Sequence, residues 1–432
     1  MGWDFETDPD FQRRLDWVDA FVRERVEPLD LLPEHPFDKA NARVRDLLRP
    51  LQEEVRARGL WACHLGPDLG GAGYGQVKLA LLNELLGRSH WAPSVFGCQA
   101  PDSGNAEILA RFGTAEQRAR YLRPLLDGEI TSCYAMTEPH GGSDPALFTT
   151  RAVRDGDAWV LTGEKWFASY ARYATFFIVM AVTDPDAGPY RGMSMLIVPA
   201  GTQGLEIVRN VGLGGEPEEA GAHAYLRFDN VRVPADHVLG GEGQAFAIAQ
   251  DRLGGGRIHH AMRTVGMARA AFDMMCERAV SRRTRTGSLS SLQLTQEAVA
   301  DSWIELEQFR LLVLRTAWLI DRHRDYRRVR GDIAAVKVAM PRVLASVVRR
   351  AMHLHGALGV SNEMPFSAML VAAEVLALAD GPSEVHAVSL ARQVLAGYEP
   401  VEGLWPSGHL PTRRAAARAR FAERLEHAVA NQ

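Results

Sequence analysis

Cysteine is scarce in this sequence. Four cysteines occur among 432 residues, at positions 63, 98, 133 and 276, and no two of them form a Cys-x-x-Cys pair. Scattered cysteines of this kind are typical of reduced thiols in an intracellular protein, and they argue against a disulfide-rich secreted fold.

Long apolar runs and a strong charge excess are also missing. No window approaches the 18 consecutive apolar residues of a membrane-spanning helix, so no membrane association is expected. The formal net charge is only −4, which gives no indication of nucleic-acid binding. The first ten residues, MGWDFETDPD, are acidic and lack the features of a signal or transit peptide. We therefore expect a cytoplasmic protein, since a mitochondrial matrix location would require that a transit peptide had been removed.

Hydrophobic periodicity predicts helices towards both ends of the chain. Within residues 1–130, Phe11, Leu15 and Val18 recur at three- and four-residue steps, as on one face of a helix. Residues 241–400 carry long apolar stripes with short connections, which is typical of a four-helix bundle. The helices predicted in this region cover residues 243–281, 294–322, 331–355, 365–379 and 383–396.

The middle of the chain has a different character. Residues 131–240 contain short β-branched or aromatic runs separated by Asp-Gly, Asp-Pro and Gly-Pro, which predicts an antiparallel β-barrel or sandwich. The fold class is therefore an α+β multidomain protein with an N-terminal all-α domain, a middle β-domain and a C-terminal helical bundle. Residues 401–432 form an extension, in which Arg413–Arg424 reads as a basic helix that is solvated or contacts another subunit.

The segment from Glu374 to His386 contains the strongest candidate for catalysis. An apolar helix ends at Asp380, and Ser383 is a predicted N-cap for the next helix. A lone acid that a buried helix projects into apolar surroundings becomes a better proton acceptor, as a catalytic base must be. The alternative is that Asp380 only caps a turn.

Two stretches of the β-domain could hold a cofactor. Thr137–Asp144 reads Thr-Glu-Pro-His-Gly-Gly-Ser-Asp, and its glycines would let backbone N–H groups approach a pyrophosphate. Gly163–Ser169 places two adjacent aromatic residues before a hydroxyl, which suits a planar ring system. Taken singly, an ordinary Gly-Gly-Ser-Asp loop and an aromatic core strand remain alternatives.

Together these stretches resemble the acyl-CoA dehydrogenase family. Thr137–Asp144 matches the family pattern TEPxxGSD, and Gly163–Ser169 matches G-x-K-x-[WF]-x-[ST]. His353–Gly359 matches the family motif QxxGGxG. The spacing from its last glycine, Gly359, to Asp380 equals the family spacing from that glycine to the catalytic glutamate. The resemblance covers nearly the whole chain, and it implies that Asp380 is the catalytic base.

The resemblance implies an FAD cofactor and assigns candidate contacts to it. The flavin contacts match Tyr134, Met136, Thr137, Ser143, Phe167 and Ser169, with Phe167 rather than Trp166 as the stacking ring. Further cofactor contacts, some of them across a subunit interface, match Arg282, Gln293, His353, Gly356, Gly381, Pro382 and Glu384. Substrate contacts match Arg257, Gln99 and Gly381. The implied partners are an acyl-CoA substrate, an electron-transfer flavoprotein and a second copy of the chain, in a homodimer or homotetramer.

Several positions depart from the family pattern. The base is Asp instead of Glu, which withdraws the carboxylate by ~1.5 Å, and Pro382 replaces a threonine. Arg285 and His353 stand where the family has Phe and Gln, which affects the expected adenine contacts. Some family members carry their base on the preceding bundle helix, but the matching residue here is Gly256.

Three segments resemble one branch of the family. Trp91–Asn105, Arg252–Gly266 and Ala379–His386 are similar to the branch that animals carry beside or fused to kinase-like domains, which is associated with 4-hydroxyacyl-CoA breakdown. The function implied is α,β-dehydrogenation of an acyl-CoA thioester, with the α-proton taken by Asp380 and the β-hydride passed to flavin N5. Alternatives are a flavin oxidase of another carbon acid, as in nitroalkane oxidases, and a non-catalytic DNA-binding flavoprotein.

Two pairs of histidines and one run of arginines have weaker functional interpretations. His259-His260 and His353-x-His355 cannot converge on one ion from a single helix, so packing is favoured over metal binding. The five arginines in 322–330 are expected to form a solvated corner, with binding of a CoA phosphate as the alternative.

Overall fold

Short helices form the N-terminal part of the structure, a computed structural model that describes residues 5–69 and 71–424. Helix α1 begins after Asp8, whose side chain accepts a hydrogen bond from the N–H of Phe11 at 2.9 Å. Phe11, Leu15 and Val18 are buried, which confirms the predicted apolar face. The helices are α1 Pro9–Phe21, α2 Ala42–Ala57, α3 Gly75–Leu86, α4 Ala92–Val95, α5 Asp102–Phe112, α6 Ala115–Gln117 and α7 Arg123–Leu126.

An eight-stranded sheet follows these helices. Its strands are β1 Ser132–Ala135, β2 Arg151–Asp155, β3 Ala158–Ser169, β4 Phe176–Val182, β5 Met193–Pro199, β6 Leu205–Val211, β7 His223–Pro234 and β8 Val238–Leu239. The strand order is β6-β7-β3-β2-β4-β5-β8, and β1 pairs with β4. Most pairs are antiparallel, as expected for the middle domain, whereas β1 and β2 each pair with β4 in parallel. The strands β1, β2 and β8 were not among the apolar runs that marked the other strands.

Strand β4 is buried on both faces. Phe176 and Ile178 pack in one hydrophobic core with residues of α5, while Phe177 and Val179 pack in a second core with residues of β3 and β7. Successive side chains of a strand point to opposite faces, so one continuous apolar strand can serve two cores. The sheet is therefore covered by α5 on one side and closed by its own strands on the other.

Five helices form the C-terminal region. They are α8 Ala245–Ser281, α9 Gln293–His323, α10 Arg330–His355, α11 Phe366–Leu378 and α12 Ser383–Leu395, and their bounds lie within a few residues of those predicted. A two-stranded ribbon, β9 Arg283–Thr284 and β10 Gly287–Ser288, connects α8 to α9. The largest core joins α1, α2 and α3 to α8, α9 and α10, so the N-terminal helices and the bundle share one hydrophobic interior. The predicted helical, β-sheet and helical order is confirmed.

Two local expectations about the end of the bundle were wrong. Helix α11 was expected to be buried, but only Phe366 and Ala373 are buried, and Leu378 is 66% exposed. Ser383 was expected to cap the next helix, but it is the first helical residue, and its hydroxyl donates to the carbonyl of Ala377 at 3.2 Å. The hydroxyl thus satisfies a carbonyl at the end of α11 instead of an N–H at the start of α12.

The last residues form a separate unit. The chain divides into one unit up to Ala387 and a smaller unit from Val388. The described part of the smaller unit contains the end of α12 and the helix α13 Leu410–Arg420, whose side chains are largely exposed. The basic helix expected at Arg413–Arg424 overlaps α13, and residues 425–432 of the extension lie outside the described residues. Within the described ranges, no single helix is long and apolar enough to cross a membrane. The pair α11 and α12, which is bent by 49°, meets these two criteria only when taken together.

Helices α3 and α8 cross at two glycines, and this contact generates a prediction. A Cβ atom at Gly266 would lie 1.9 Å from the carbonyl oxygen of Glu84, and one at Gly87 would lie 1.9 Å from that of Arg263. We expect Gly266→Ala to lower the free energy of unfolding by about 1–3 kcal/mol, because the helices must separate. Urea denaturation followed by circular dichroism measures the change.

The control for crowding is Gly215→Ala, a glycine in the turn between β6 and β7, where a Cβ atom would meet no heavy atom within 4 Å. In an open helix Gly→Ala adds about 1 kcal/mol of stability. A Gly266→Ala protein as stable as the wild type would therefore contradict the close crossing.

Candidate active site

Asp380 lies in the break between α11 and α12, residues 379–382, which we call the base turn. Its backbone has φ = +56°, a left-handed conformation that is uncommon for a residue with a Cβ atom. Ala379 before it is extended, and Gly381 after it has φ = +100°. The turn directs the Asp380 carboxylate at α8, where Oδ2 lies 3.8 Å from Nε2 of His260. A Cβ atom at Gly256 would lie 3.1 Å from the same oxygen, so the carboxylate occupies the space above this glycine.

Two side chains hold the backbone carbonyl of Asp380. The Nε atom of Arg257 donates to it at 2.9 Å, and Nε2 of His386 lies 3.2 Å from it. Arg257 comes from α8 and His386 from α12, so the turn is fixed from both neighbouring helices. The resemblance placed Arg257 at the mouth of the acyl pocket, whereas its hydrogen bond here is to the candidate base. A Cβ atom at Gly381 would lie 3.0 Å from Nε2 of His386, which leaves little room for a side chain there.

The surroundings of the Asp380 carboxylate are basic, so the expectation of an apolar setting was wrong. The side chain is 17% exposed, and the basic groups that interact with its charge include Arg257, His260 and Lys337. Burial lowers the pKa of His260 to about 4, so this imidazole is neutral at pH 7. No backbone N–H of the described chain donates to the carboxylate, and the turn-capping alternative thus has no hydrogen bond to support it.

A buried ion pair joins the two motifs of the β-domain. Nζ of Lys165 lies 2.9 Å from Oε1 of Glu138, and it also donates to the carbonyl of Met136 at 2.7 Å. The N–H of Trp166 donates to the carbonyl of Thr137 at 2.8 Å. Burial lowers the pKa of Lys165 to about 8, while Glu138 opposes this shift. Glu138 and Lys165 belong to the two sequence motifs, but no role was predicted for either residue. Their opposite charges were the signal that could have identified the pair.

Tyr134 connects these motifs to the base turn. The guanidinium of Arg252 lies 3.9 Å from the centre of the Tyr134 ring, and its Nε donates to Oδ1 of Asn105 at 2.8 Å. Burial, together with the nearby charge of Asp380, raises the pKa of Tyr134 to about 12. The tyrosine is therefore a neutral phenol whose ring faces a cation. Arg252 was not among the predicted site residues.

Phe167 presents an aromatic face to solvent. Its backbone has φ = +54°, and its side chain is 40% exposed. The opposite side of the ring stacks on His223 with centroids 4.9 Å apart, and Nδ1 of this histidine lies 2.9 Å from Oγ of Ser169. An exposed ring on a strained backbone suits a planar ligand that covers it. Thr137 is half-buried and Ser143 is exposed beside Gly142, whose φ is +52°, so hydroxyl and N–H donors accompany the ring. These groups fit a flavin and its pyrophosphate.

Four predicted cofactor residues lie elsewhere on the surface. Arg282 ends α8 and Gln293 begins α9, while His353 and Gly356 lie at the end of α10, and all four are exposed. No hydrogen bond or ring contact within the described chain connects them to the Phe167 region. The remaining predictions lie at the base turn, where Pro382 is half-buried and Glu384 is exposed in the first turn of α12.

Gln99 and the pair of His64 and His259 contribute further buried polar atoms. Nε2 of Gln99 donates to Oδ2 of Asp102 at 3.0 Å, but Oε1 of Gln99 has no partner among the described residues. The rings of His64 and His259 lie 6.4 Å apart, and both nitrogens of His64 are likewise buried without a described partner. Burial lowers the pKa of His64 to about 3. His64 was missed by sequence reasoning, since a lone histidine after Cys63 gives no periodic signal.

Comparison with known proteins agrees with this geometry. Three family models match the chain: acyl-CoA dehydrogenase N-terminal domain over residues 9–129, middle domain over 133–231 and C-terminal domain over 243–395. These three ranges follow the helical, β-sheet and helical regions described above. The extension after residue 395 lies outside them.

Curated relatives share both sequence and name with this family. "Probable acyl-CoA dehydrogenase FadE2" of Mycobacterium tuberculosis is 41% identical over 354 residues, which cover 81% of this chain and 86% of FadE2. Acyl-CoA dehydrogenase family member 11 of Homo sapiens is 39% identical over 350 residues, 80% of this chain but only 44% of that protein. The chain thus spans about half or less of the length of the animal relatives.

A solved structure shares the fold over its whole length. A Mycobacterium abscessus protein, solved as a candidate acyl-CoA dehydrogenase, superposes with a TM-score of 0.84 at 39% identity and covers 91% of this chain and 100% of its own. Domain order, sequence and fold lead to one conclusion: the chain belongs to the acyl-CoA dehydrogenase family and is an FAD-dependent oxidoreductase.

Proposed function

We propose that the chain dehydrogenates an acyl-CoA thioester between its α and β carbons, with Asp380 as the acceptor of the α-proton. The observation that carries this proposal is the direction of Asp380, whose left-handed backbone turns a 17% exposed carboxylate towards α8. Helix α8 has no side chain at Gly256 to compete for that space. A positioned carboxylate of restricted exposure is what general-base catalysis requires.

The backbone beside the base supports the same chemistry. An α C–H bond is a weak acid, so the thioester oxygen must accept hydrogen bonds as negative charge develops on it. The N–H of Asp380 makes no hydrogen bond within the described chain, because the turn removes it from the ladder of α11. We propose that this N–H donates to the thioester oxygen. When bound, FAD accepts the hydride that leaves the β carbon.

Buried polar atoms without a partner indicate which acyl chains the site would accept. Gln99, His64 and His259 each have a buried polar atom without a described partner. Buried polar groups normally form hydrogen bonds, so an acyl chain that carries a hydroxyl group would satisfy some of them. We therefore propose that hydroxylated acyl-CoAs belong among the substrates.

The exposed cofactor residues support assembly of several copies. Arg282, Gln293, His353 and Gly356 are exposed to solvent in the single chain. The apolar side chains of Val360 and Leu378 are 65% and 66% exposed. We propose that a second copy covers this surface and shares the cofactor contacts, and that an electron-transfer flavoprotein reoxidises the enzyme. Sedimentation analysis and reoxidation assays with such a flavoprotein or with oxygen test these two points.

Anaerobic titration of the holoprotein tests the proposed function. An oxidised flavin is yellow and loses its visible absorbance on reduction, so bleaching reports the reduction. We expect bleaching by members of an acyl-CoA panel that includes chains with and without a hydroxyl group. An Asp base also suits more acidic carbon acids, so nitroalkanes form the second arm. Bleaching by nitroalkanes alone would replace the proposed function by a carbon-acid oxidase.

Removing the charge at position 380 gives the most direct prediction. Asp380→Asn should retain FAD but slow its reduction by acyl-CoA roughly 100- to 10,000-fold, the usual contribution of a general base. Stopped-flow absorbance of the anaerobic protein measures the rate. The control is Asp251→Asn, an exposed carboxylate of α8 that pairs with Arg111. Wild-type bleaching in Asp380→Asn would remove Asp380 from the mechanism.

Filling the space above α8 should interfere with the base. A Cβ atom at Gly256 would lie 3.1 Å from Oδ2 of Asp380, so Gly256→Ala pushes the carboxylate away. Displacement on the order of 1 Å can lower a rate roughly 100-fold. We expect a lower rate of flavin reduction with a melting temperature close to that of the wild type. Gly254→Ala, whose Cβ atom would meet Tyr326 at 3.4 Å, is the control on the same helix. Equal rates in both variants would contradict the steric role of Gly256.

A further inference from the structure

Lys337 is a buried lysine of α10 that contacts the end of α11. Its residue is 1% exposed, and its ammonium donates to the carbonyls of Leu376 at 2.5 Å and of Ala377 at 3.4 Å. These carbonyls belong to the last turn of α11, where no N–H of the helix remains to pair with them. A cation at a helix C-terminus also interacts favourably with the helix dipole.

The same few residues receive donors from three other positions. Ser383 donates to the carbonyl of Ala377, while Arg257 and His386 hold the carbonyl of Asp380. Lys337 therefore fixes the chain just before the base turn, and Arg257 and His386 fix it within the turn. A left-handed residue with a Cβ atom persists only where its surroundings impose that conformation.

The stability of the fold does not explain the charge of Lys337. Burial lowers the pKa of Lys337 to about 8, so the ammonium still predominates at pH 7 although it is more costly here than in water. Lys165 is equally buried but is paired with Glu138 at 2.9 Å, whereas the hydrogen-bond partners of Lys337 within the described chain are carbonyl oxygens. An ammonium that is buried at this cost without a hydrogen-bonded carboxylate, and that donates to carbonyls just before the base turn, points to a role in the site.

We propose that Lys337 is a positioning residue for Asp380. Its ammonium anchors the last turn of α11, and this anchor sets the direction in which the chain enters the base turn and the carboxylate faces α8. The proposal rests on the proposed function, in which Asp380 takes the α-proton. Lys337 itself exchanges no proton with the substrate.

The anchor should depend on pH. Asp380 and Glu384 favour the charged form of Lys337, whereas Arg257 on α8 disfavours it; His260 and His386 also face this region. Because the pKa of Lys337 is lowered to about 8, the ammonium is present below pH 8 and is lost as pH rises through that value. The rate of flavin reduction should therefore decline above about pH 8.

Three variants of the holoprotein test the proposal. Lys337→Met removes the donors, and Lys337→Gln keeps an uncharged donor. Lys39→Met is the matched control, since the buried ammonium of Lys39 also donates to two carbonyls, those of Gly128 at 2.7 Å and Ile130 at 3.3 Å. We expect reduction by acyl-CoA to slow roughly 10- to 100-fold in Lys337→Met, with substrate affinity changed less than about threefold. Lys39→Met should lose stability and keep the wild-type rate.

The pH profile separates positioning from a general loss of stability. Lys337→Gln has no group that titrates at this position, so its lower rate should no longer decline above about pH 8. Wild-type rates in both Lys337 variants, or a decline at high pH that persists unchanged in Lys337→Gln, would overturn the proposal. Should Lys337→Met fail to fold, Lys337→Gln decides the outcome.

Amide hydrogen exchange provides a readout that does not depend on catalysis. The N–H of Ala379 donates to the carbonyl of Val375 in α11, and the N–H groups of Val385 and His386 donate to the carbonyl of Pro382 in the base turn. Peptides that cover residues 376–387 should exchange faster in Lys337→Met than in the wild type, and not in Lys39→Met. If no acyl-CoA bleaches the wild type, the proposed function fails, and the exchange rates still test the anchor. Unchanged exchange in Lys337→Met would contradict it.

Discussion

The left-handed backbone of Asp380 is the constraint on which the site depends. A residue with the usual negative φ at this position would not direct its side chain towards α8 as Asp380 does. The chain adopts the unusual conformation between an extended Ala379 and Gly381, whose φ of +100° few other residues tolerate. Pro382 then prevents α11 from continuing and leads into α12. The residues that end α11 thus also position Asp380, the candidate base.

Parts of the chain that are far apart in sequence meet around this turn. The β-domain contributes Tyr134, and Lys165 ties its strand to the strand of Phe167 by pairing with Glu138 and donating to the carbonyl of Met136. Helix α8 contributes Arg252, which lies over the Tyr134 ring, and Arg257, which holds the base turn. Helix α8 therefore contacts both Tyr134 and Asp380, the candidate base. Its packing in the shared core of the N-terminal helices and the bundle keeps the two in register.

The sequence was most informative where structure is local. Apolar periodicity located α8 to α12 within a few residues, because helices of this length are set by a repeating face. Strands β1 and β2 escaped notice for a physical reason. Ser132–Ala135 is short, and Arg151–Asp155 buries a single residue, so neither shows the apolar run that marked β4.

The site was predictable in position but not in environment. Spacing from Gly359 indicated Asp380, and the structure places it at a helix break as expected. The basic groups around it could not be inferred, since Lys337 and His260 reach it from other helices and nothing in their own segments marks them. The apolar composition of α11 likewise predicted burial, but composition does not say what covers a helix. Much of α11 is half-exposed in the single chain.

The missing side chain at Gly256 and the short acid at position 380 form one steric unit. Because the carboxylate lies 3.1 Å from where a Cβ atom would stand, neither position can change freely while the other stays. An evolutionary route that moved the base to α8, or lengthened it to glutamate, would have to alter both residues, and its order of steps would matter. Asp380 and Gly256 should therefore covary among descendants of this sequence, because a change at one position is tolerated only with a change at the other.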